Sequence, residues 1–284
     1  MNFKEVANAK FGRLVQHYSA RDTILYALGV GFASEPLDPA HIAFLYEDGL
    51  VAAPTMANVL GYPGLWMAEE RYGIDWQMML HAEQRLEIHA PLPVAATISA
   101  QNAVVGIEDR GERGVMMHQR NEIAHVGSGR RLATVTMSAM LRGDGGCGNW
   151  GDLPEPLAPL SDSPPDVAVN LETWEAQPFL YRLSGDLNPL HVDPLVASVA
   201  GFSRPILHGL ATMGMAGYAL LRHFGQMDAA RLRSMAVRFT APVLPGDLLR
   251  FEFWQEEKGC VRFRAIVPGR DGVKVLDRCT AVLA

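Results

Sequence analysis

Tyr181-Arg-Leu-Ser-Gly-Asp-Leu-Asn-Pro-Leu-His191, followed by Arg204-Pro-Ile-Leu-His-Gly-Leu210, sets the reading of this chain. The first run gathers a carboxylate (Asp186), an amide (Asn188) and an imidazole (His191) around Pro189. Asp, Asn and Pro are turn formers, and Pro189 opposes a continuous helix through Asn188. The segment therefore reads as a turn that can aim Asp186 and His191 at one point. In the second run Pro205 ends an extended segment, and an apolar helix opens at His208-Gly209. The first amides of a helix have no internal partner and carry positive partial charge. Gly209 has no side chain to obstruct an approaching carbonyl oxygen, so its N–H is a natural oxyanion donor. Its bland role would be to let the helix pack closely on a sheet. His208 reads as a helix-entry residue satisfied by a backbone carbonyl.

Working outward, His208 to Arg222 carries Leu210, Met213, Ala216, Gly217, Leu220 and Leu221 at helical spacing, which predicts a helix with a wide buried face. Strand candidates follow at Leu232–Thr240, Asp247–Trp254, Val261–Val267 and Val273–Val282, separated by turn residues. Each alternates apolar and polar positions. An antiparallel sheet with one face packed on a central helix satisfies this pattern, because every element then buries its apolar face. That is the hot-dog arrangement, of class α+β.

Between Gly143 and Asp166 hydrophobic periodicity stops and Gly, Pro and Asp dominate. So few apolar side chains cannot offset the ordering entropy, and the stretch reads as a linker, 143–166, between domains 1–142 and 167–284. The two flanks align. Ile24-Leu-Tyr-Ala-Leu-Gly-Val-Gly31 matches Phe179-Leu-Tyr-Arg-Leu-Ser-Gly-Asp186, and His89-Ala-Pro-Leu-Pro93 matches Thr240-Ala-Pro-Val-Leu-Pro245. Arg131–Leu141 parallels Lys274–Leu283. Three matches in one order indicate a duplicated unit and so a double hot-dog. Thr55 to Met67 takes the helix slot of the first half, made irregular by Pro63 and two glycines. Opposite Asp186 stands Gly31, with no match there to Asn188-Pro-Leu-His191, so the first half is expected to lack an active site.

A formal net charge of −6 and the lack of any Lys/Arg block argue against nucleic acid as the partner. Three cysteines form no C-x-x-C pair, as expected of a reducing compartment. No apolar stretch is long enough to span a bilayer. The N-terminus has no apolar signal core, and the C-terminus no peroxisomal tripeptide, so a cytoplasmic protein is expected. No H-E-x-x-H or Cys/His cluster points to a metal, and no glycine-rich phosphate loop to a nucleotide. Gly-x-Ser-x-Gly is absent, which disfavours a serine hydrolase.

Gly185, Asp186, Asn188, Pro189 and His191, then His208-Gly209, resemble the signature of the MaoC-like, hydratase-2 family of (R)-specific 2-enoyl-CoA hydratases. Arg21–Gly31 and Leu80-His-Ala-Glu-Gln-Arg-Leu-Glu87 resemble that family's non-catalytic repeat, so the resemblance covers nearly the whole chain. It implies a double hot-dog hydro-lyase that adds water to a (2E)-enoyl-CoA to give the (3R)-3-hydroxyacyl-CoA. The CoA thioester is the substrate, no cofactor or metal is needed, and a homodimer is implied. By the same resemblance Asp186 and His191 hold and deprotonate the water and return a proton to the α-carbon. Asn188 positions them or the water, and the Gly209 N–H binds the thioester oxygen. His81, Ala82, Arg110 and Phe239 fall where the family meets the CoA thioester. Ala82 departs from the family's usual Gly, which puts the backbone contact there in question. Arg110 has its own physical case, because a guanidinium suits a CoA phosphate, although it equally suits a solvated turn.

Two other classes remain open: a hot-dog thioesterase, which would direct water at the carbonyl, and a non-catalytic acyl-thioester-binding subunit. The intact Asp/Asn/His turn favours hydration. The first half, without that turn, is expected to house a medium, long or bulky acyl tail.

Overall fold

The alternating segments of both halves join one antiparallel sheet in the computed structural model, which describes residues 1–284 apart from the side chain of Gln77. The first half supplies β1 (Leu14–Tyr18), β2 (Met79–Ile88), β3 (Ala96–Asp109), β4 (Val115–His125) and β5 (Arg131–Leu141). A two-residue β6 (Trp150–Gly151) follows, and the second half supplies β7 (Val167–Glu172), β8 (Leu232–Phe239), β9 (Leu248–Gln255), β10 (Cys260–Val267) and β11 (Val273–Leu283). The strand order is β1-β3-β4-β5-β2-β8-β11-β10-β9-β7, with β6 on β3. Replacing each of β1 to β5 by its counterpart among β7 to β11 reverses that list onto itself. The duplicated unit is thus joined to its copy through β2 and β8, which pair Glu83 with Arg238, Arg85 with Ala236 and Glu87 with Ser234. Their core faces bring Leu86 beside Met235 and Gln84 beside Val237. This is a double hot-dog fold.

Six helices complete the chain: α1 (Phe3–Ala7), α2 (Ala20–Gly29), α3 (Pro39–Ile42), α4 (Gln177–Tyr181), α5 (Pro194–Val199) and α6 (Gly209–His223). The last of these is the central helix. Every residue from Ala211 to Leu221 is buried, so its apolar surface runs all the way round rather than along one face. Arg222 and His223 in the last turn end that buried run and complement the helix dipole. Two glycines let the first half approach this helix. A Cβ on Gly214 would lie 2.4 Å from Cγ1 of Val30, and one on Gly217 2.5 Å from Cγ2 of Thr55. In the first half the equivalent slot holds only a six-residue 3-10 turn, Pro54–Val59, so one full helix serves both sides of the core.

The linker is better ordered than its composition predicts. β6 pairs with Gly106 and Ile107, and the Asp109 carboxylate accepts from the Gly146 N–H at 3.0 Å and the Gly148 N–H at 2.6 Å. Arg85 donates to the Glu155 carbonyl at 2.6 Å, Arg262 to the Ala158 carbonyl at 2.5 Å, and the Trp254 indole to the Ser163 carbonyl at 2.9 Å. These donors stand on strands of both halves. The segment gains its order from the sheet's side chains, which a composition argument about its own residues does not count.

Gly214→Ala tests the shared helix. The new methyl meets fully buried Val30, and overpacking costs roughly 1–3 kcal/mol, against about 1 kcal/mol gained in helix propensity. A lower urea midpoint is expected, and a midpoint raised by the substitution would contradict this packing.

Candidate active site

The turn Gly185–His191 is built by local capping. Gly185 has φ +122, a region that favours glycine, and it redirects the chain after the 3-10 turn Arg182–Ser184. The Asp186 carboxylate accepts the Asn188 N–H at 3.2 Å, and the Asn188 side-chain oxygen accepts the Leu190 N–H at 3.0 Å. Asn188 so caps the 3-10 turn Pro189–His191, in which Pro189 occupies the first position. Asn188 is exposed and its oxygen is used in that cap, which makes it a positioning group.

The two signature segments clasp each other. His191 Nδ1 lies 2.8 Å from the Ile206 carbonyl, and His208 Nε2 lies 3.2 Å from the Asp186 carbonyl. A carbonyl only accepts, so both of those nitrogens carry protons. Nε2 of His191 is then left as a free acceptor. The two rings stack at 3.7 Å between centroids with 27° between planes, and Tyr181 packs beneath His208 at 4.9 Å. His208 therefore is the carbonyl-satisfied helix entry expected from sequence, and it is also the floor under His191. Burial lowers the pKa of His191, against the nearby Asp186 carboxylate. Burial, with His191 alongside, lowers that of His208 to about 3. Both rings are neutral at pH 7.

Ligand atoms of Asp186, His191 and His208 lie within 4.8 Å of one another. Among the described residues no second such group of His, Cys, Asp and Glu is found. Stacked imidazoles send their in-plane lone pairs side by side rather than to a common point. The arrangement suits hydrogen bonding to a small polar molecule better than it suits a chelated cation.

Gly209 is the first residue of α6, and its N–H has no protein acceptor among the described residues. A Cβ there would sit 3.1 Å from Cε1 of Phe239, so the glycine also permits close packing. The close-packing reading of Gly209 holds, and its N–H is left free. The Phe239 ring in turn meets His81 edge to face at 4.8 Å. His81 reaches that position through a β-bulge in β2, where the pairing with β5 shifts between His81 and Glu83 and Ala82 has no partner. The Gln84 side chain holds the His81 ring at 2.9 Å and is itself held to Asn58 at 2.9 Å. Burial lowers the pKa of His81 as well.

The structure thus brings together Asp186, Asn188, His191, Gly209, Phe239, His81 and Ala82 across the β2–β8 seam. Arg110 stands apart. It lies on the β3–β4 turn, three strands from β2, where its guanidinium pairs with Glu108 at 2.8 Å. Glu108, His118 and Arg85 share its electrostatic environment, on the sheet face turned away from α6.

One expectation about the first half needs correcting. Leu37-Asp38-Pro39-Ala40-His41 repeats the pattern of Leu187-Asn188-Pro189-Leu190-His191. Asp38 caps Ala40 at 2.9 Å just as Asn188 caps Leu190. The match is displaced because fifteen residues separate Tyr26 from His41 and only ten separate Tyr181 from His191. The Gly31 position therefore missed it. His41 is buried, 3.4 Å from the Tyr218 hydroxyl of α6, which also contacts Ser34 and Arg222. The counterpart of the Asn188–His191 turn is closed off by a tyrosine.

Six histidines, His41, His81, His118, His191, His208 and His223, have pKa values lowered chiefly by burial, His118 to about 4. An unfolded chain takes up protons on these rings as pH falls through about 6.5, while the folded protein does not. Stability contributed by the neutral rings is complete above that pH and declines below it, toward the folded values. A urea midpoint that drops between pH 7 and pH 4.5, with a shallower slope in His118→Gln, is expected. A flat midpoint would contradict it.

Comparison with known proteins places these observations. Residues 16–143 match the MFE-2 hydratase 2 N-terminal domain and residues 157–276 the MaoC like domain. The chain is 39 % identical over 265 residues to 3-hydroxyacyl-thioester dehydratase Y of Mycobacterium tuberculosis, covering 90 % of this chain and 89 % of that one. It is 33 % identical over 255 residues to the peroxisomal enoyl-CoA hydratase 2 of Arabidopsis thaliana, covering 84 % and 82 %. The crystal structure of a MaoC-like dehydratase from Phytophthora capsici superposes with a TM-score of 0.88 at 30 % identity, over 100 % of this chain and 99 % of the other. With both halves matched in order and their signature residues meeting at one seam, the chain belongs to the MaoC-like, hydratase 2 family.

Proposed function

We propose that this protein is a hydro-lyase that adds water reversibly across the double bond of a (2E)-enoyl-CoA, giving the (3R)-3-hydroxyacyl-CoA. The carrying observation is the Asp186 carboxylate and the His191 imidazole, with ligand atoms within 4.8 Å of each other, close to the free first amide of α6. Two hydrogen bonds of about 2.8 Å span such a gap through one water. Asp186 and His191 orient that water with its oxygen toward the β-carbon. As the new C–O bond forms, the pair takes up the water's proton, and the π electrons move through the α-carbon onto the thioester oxygen. The Gly209 N–H receives that oxygen, a contribution of about 3 kcal/mol in comparable sites. The enolate then collapses, and a proton from the Asp186–His191 pair is delivered to the α-carbon. Protons balance: one water is consumed and nothing is released.

His81 and Phe239 line the approach to Gly209 and would flank the thioester. The names of the relatives, a dehydratase of hydroxyacyl thioesters and a hydratase of enoyl-CoA, describe the two directions of one reaction and support this reading. The first repeat is proposed to be non-catalytic, because Tyr218 occupies its turn. Its six-residue 3-10 turn, in place of a fifteen-residue helix, supports a tail path toward that repeat and substrates of medium or greater length.

The test follows loss of conjugated-thioester absorbance together with thiol release, on crotonyl-CoA and longer (2E)-enoyl-CoAs. Hydration without thiol release is expected, rising beyond the four-carbon substrate. Asp186→Asn and His191→Ala should each lower kcat by about 10²–10⁴-fold. Free thiol in step with the absorbance loss would make the protein a thioesterase, and full activity in both variants would overturn the mechanism.

A further inference from the structure

The rings behind His191 form a series that the hydration mechanism does not employ. His191 stacks on His208 at 3.7 Å, His208 meets Tyr181 at 4.9 Å, and Tyr181 meets Tyr26 at 6.1 Å between centroids. Tyr26 and Tyr181 stand at matching positions of the two repeats. The series therefore runs from His191 of the second repeat into the core of the first.

Its far end is seated on backbone. A Cβ on Gly29, the last residue of α2, would lie 3.3 Å from Cδ2 and 3.4 Å from Cα of Tyr181. The Gln177 side chain, at the start of the helix that ends in Tyr181, donates to the Gly29 carbonyl at 2.9 Å. Gln177 and Tyr181 are both fully buried. Helix α4 is thus tied to α2, and the Tyr181 ring has main chain behind it instead of a side chain that could give way.

The near end needs that support. Each imidazole is held by one hydrogen bond, His191 through Nδ1 to Ile206 and His208 through Nε2 to Asp186. The outer torsion of a histidine side chain is broad, so one bond at the ring edge restrains its tilt weakly. A neighbouring ring restrains it further. His208 does this for His191, and Tyr181 does it for His208. The buried Tyr181 hydroxyl has no hydrogen-bond partner among the described residues. The contact is therefore made by the shape of the ring.

We infer that Tyr181 is a positioning residue for hydration: its ring, seated on Gly29 of the first repeat, holds the plane of His208 and through it the direction of the free Nε2 of His191. The first repeat so contributes to the chemistry of the second without touching the reacting atoms. The inference rests on the hydratase reading of this site.

The test compares Tyr181→Leu and Tyr181→Phe by two readouts. In protein labelled with ¹⁵N-histidine, the ring N–H signals of His191 and His208 are assigned from His191→Gln and His208→Gln. They are expected to be sharp in the wild type and Tyr181→Phe and broadened in Tyr181→Leu. A misplacement of about 1 Å can cost about 10²-fold, so on crotonyl-CoA Tyr181→Leu should lower kcat by about 10- to 100-fold. Its KM should stay within about twofold, and Tyr181→Phe should keep both constants within about twofold. Ring signals or a kcat unchanged in Tyr181→Leu, or a loss in Tyr181→Phe as large as in Tyr181→Leu, overturns the inference. Should Tyr181→Leu not fold, Gly29→Ala decides, because its methyl displaces Tyr181 by a few tenths of an ångström. A kcat about threefold lower at constant KM is then expected, and an unchanged kcat overturns the inference. A wild type inactive on enoyl-CoA would sink the hydratase reading instead, and the ring signals would still decide whether Tyr181 sets the two imidazoles.

Discussion

The antiparallel pairing of β2 with β8 is the constraint on which the other features depend. It sets two copies of one unit edge to edge, so that neither presents an open strand at the seam. It also brings His81 of one copy against Phe239 of the other, and Phe239 against the start of α6. His81 and Phe239 stand together beside Gly209 only when both halves are in register. A single second repeat would hold the Asp186–His191 turn and still lack His81.

Around that seam the two repeats have diverged in their use of the same parts. In the second, the turn ending at His191 is left open toward Gly209 and is tightened by the reciprocal bonds to Ile206 and Asp186. In the first, the corresponding turn ending at His41 is closed by Tyr218 from the helix that both halves share. The first repeat has also reduced its own helix to a 3-10 turn, and the loop that follows is fixed by buried amides instead.

Much of this was legible in the sequence where the determinants are local. Pro189 and Asn188 announce their turn because capping spans only a few residues, and the apolar run from Leu210 announces its helix. The strand segments from Leu232 onward lie within a residue or two of those observed. What stayed hidden depends on distant groups. The order of residues 143–166 comes from Arg85, Arg262 and Trp254, each far away along the chain. The relation of His41 to His191 was obscured by five additional residues, since an ungapped alignment cannot follow an insertion.

The central claim is that water is directed to the β-carbon of an enoyl thioester and not to its carbonyl. Mass spectrometry of the product formed from crotonyl-CoA in ¹⁸O-labelled water tests this most directly. The account predicts one label on C3 of an intact 3-hydroxybutyryl-CoA of R configuration. Label in the carboxylate of a free acid would contradict it.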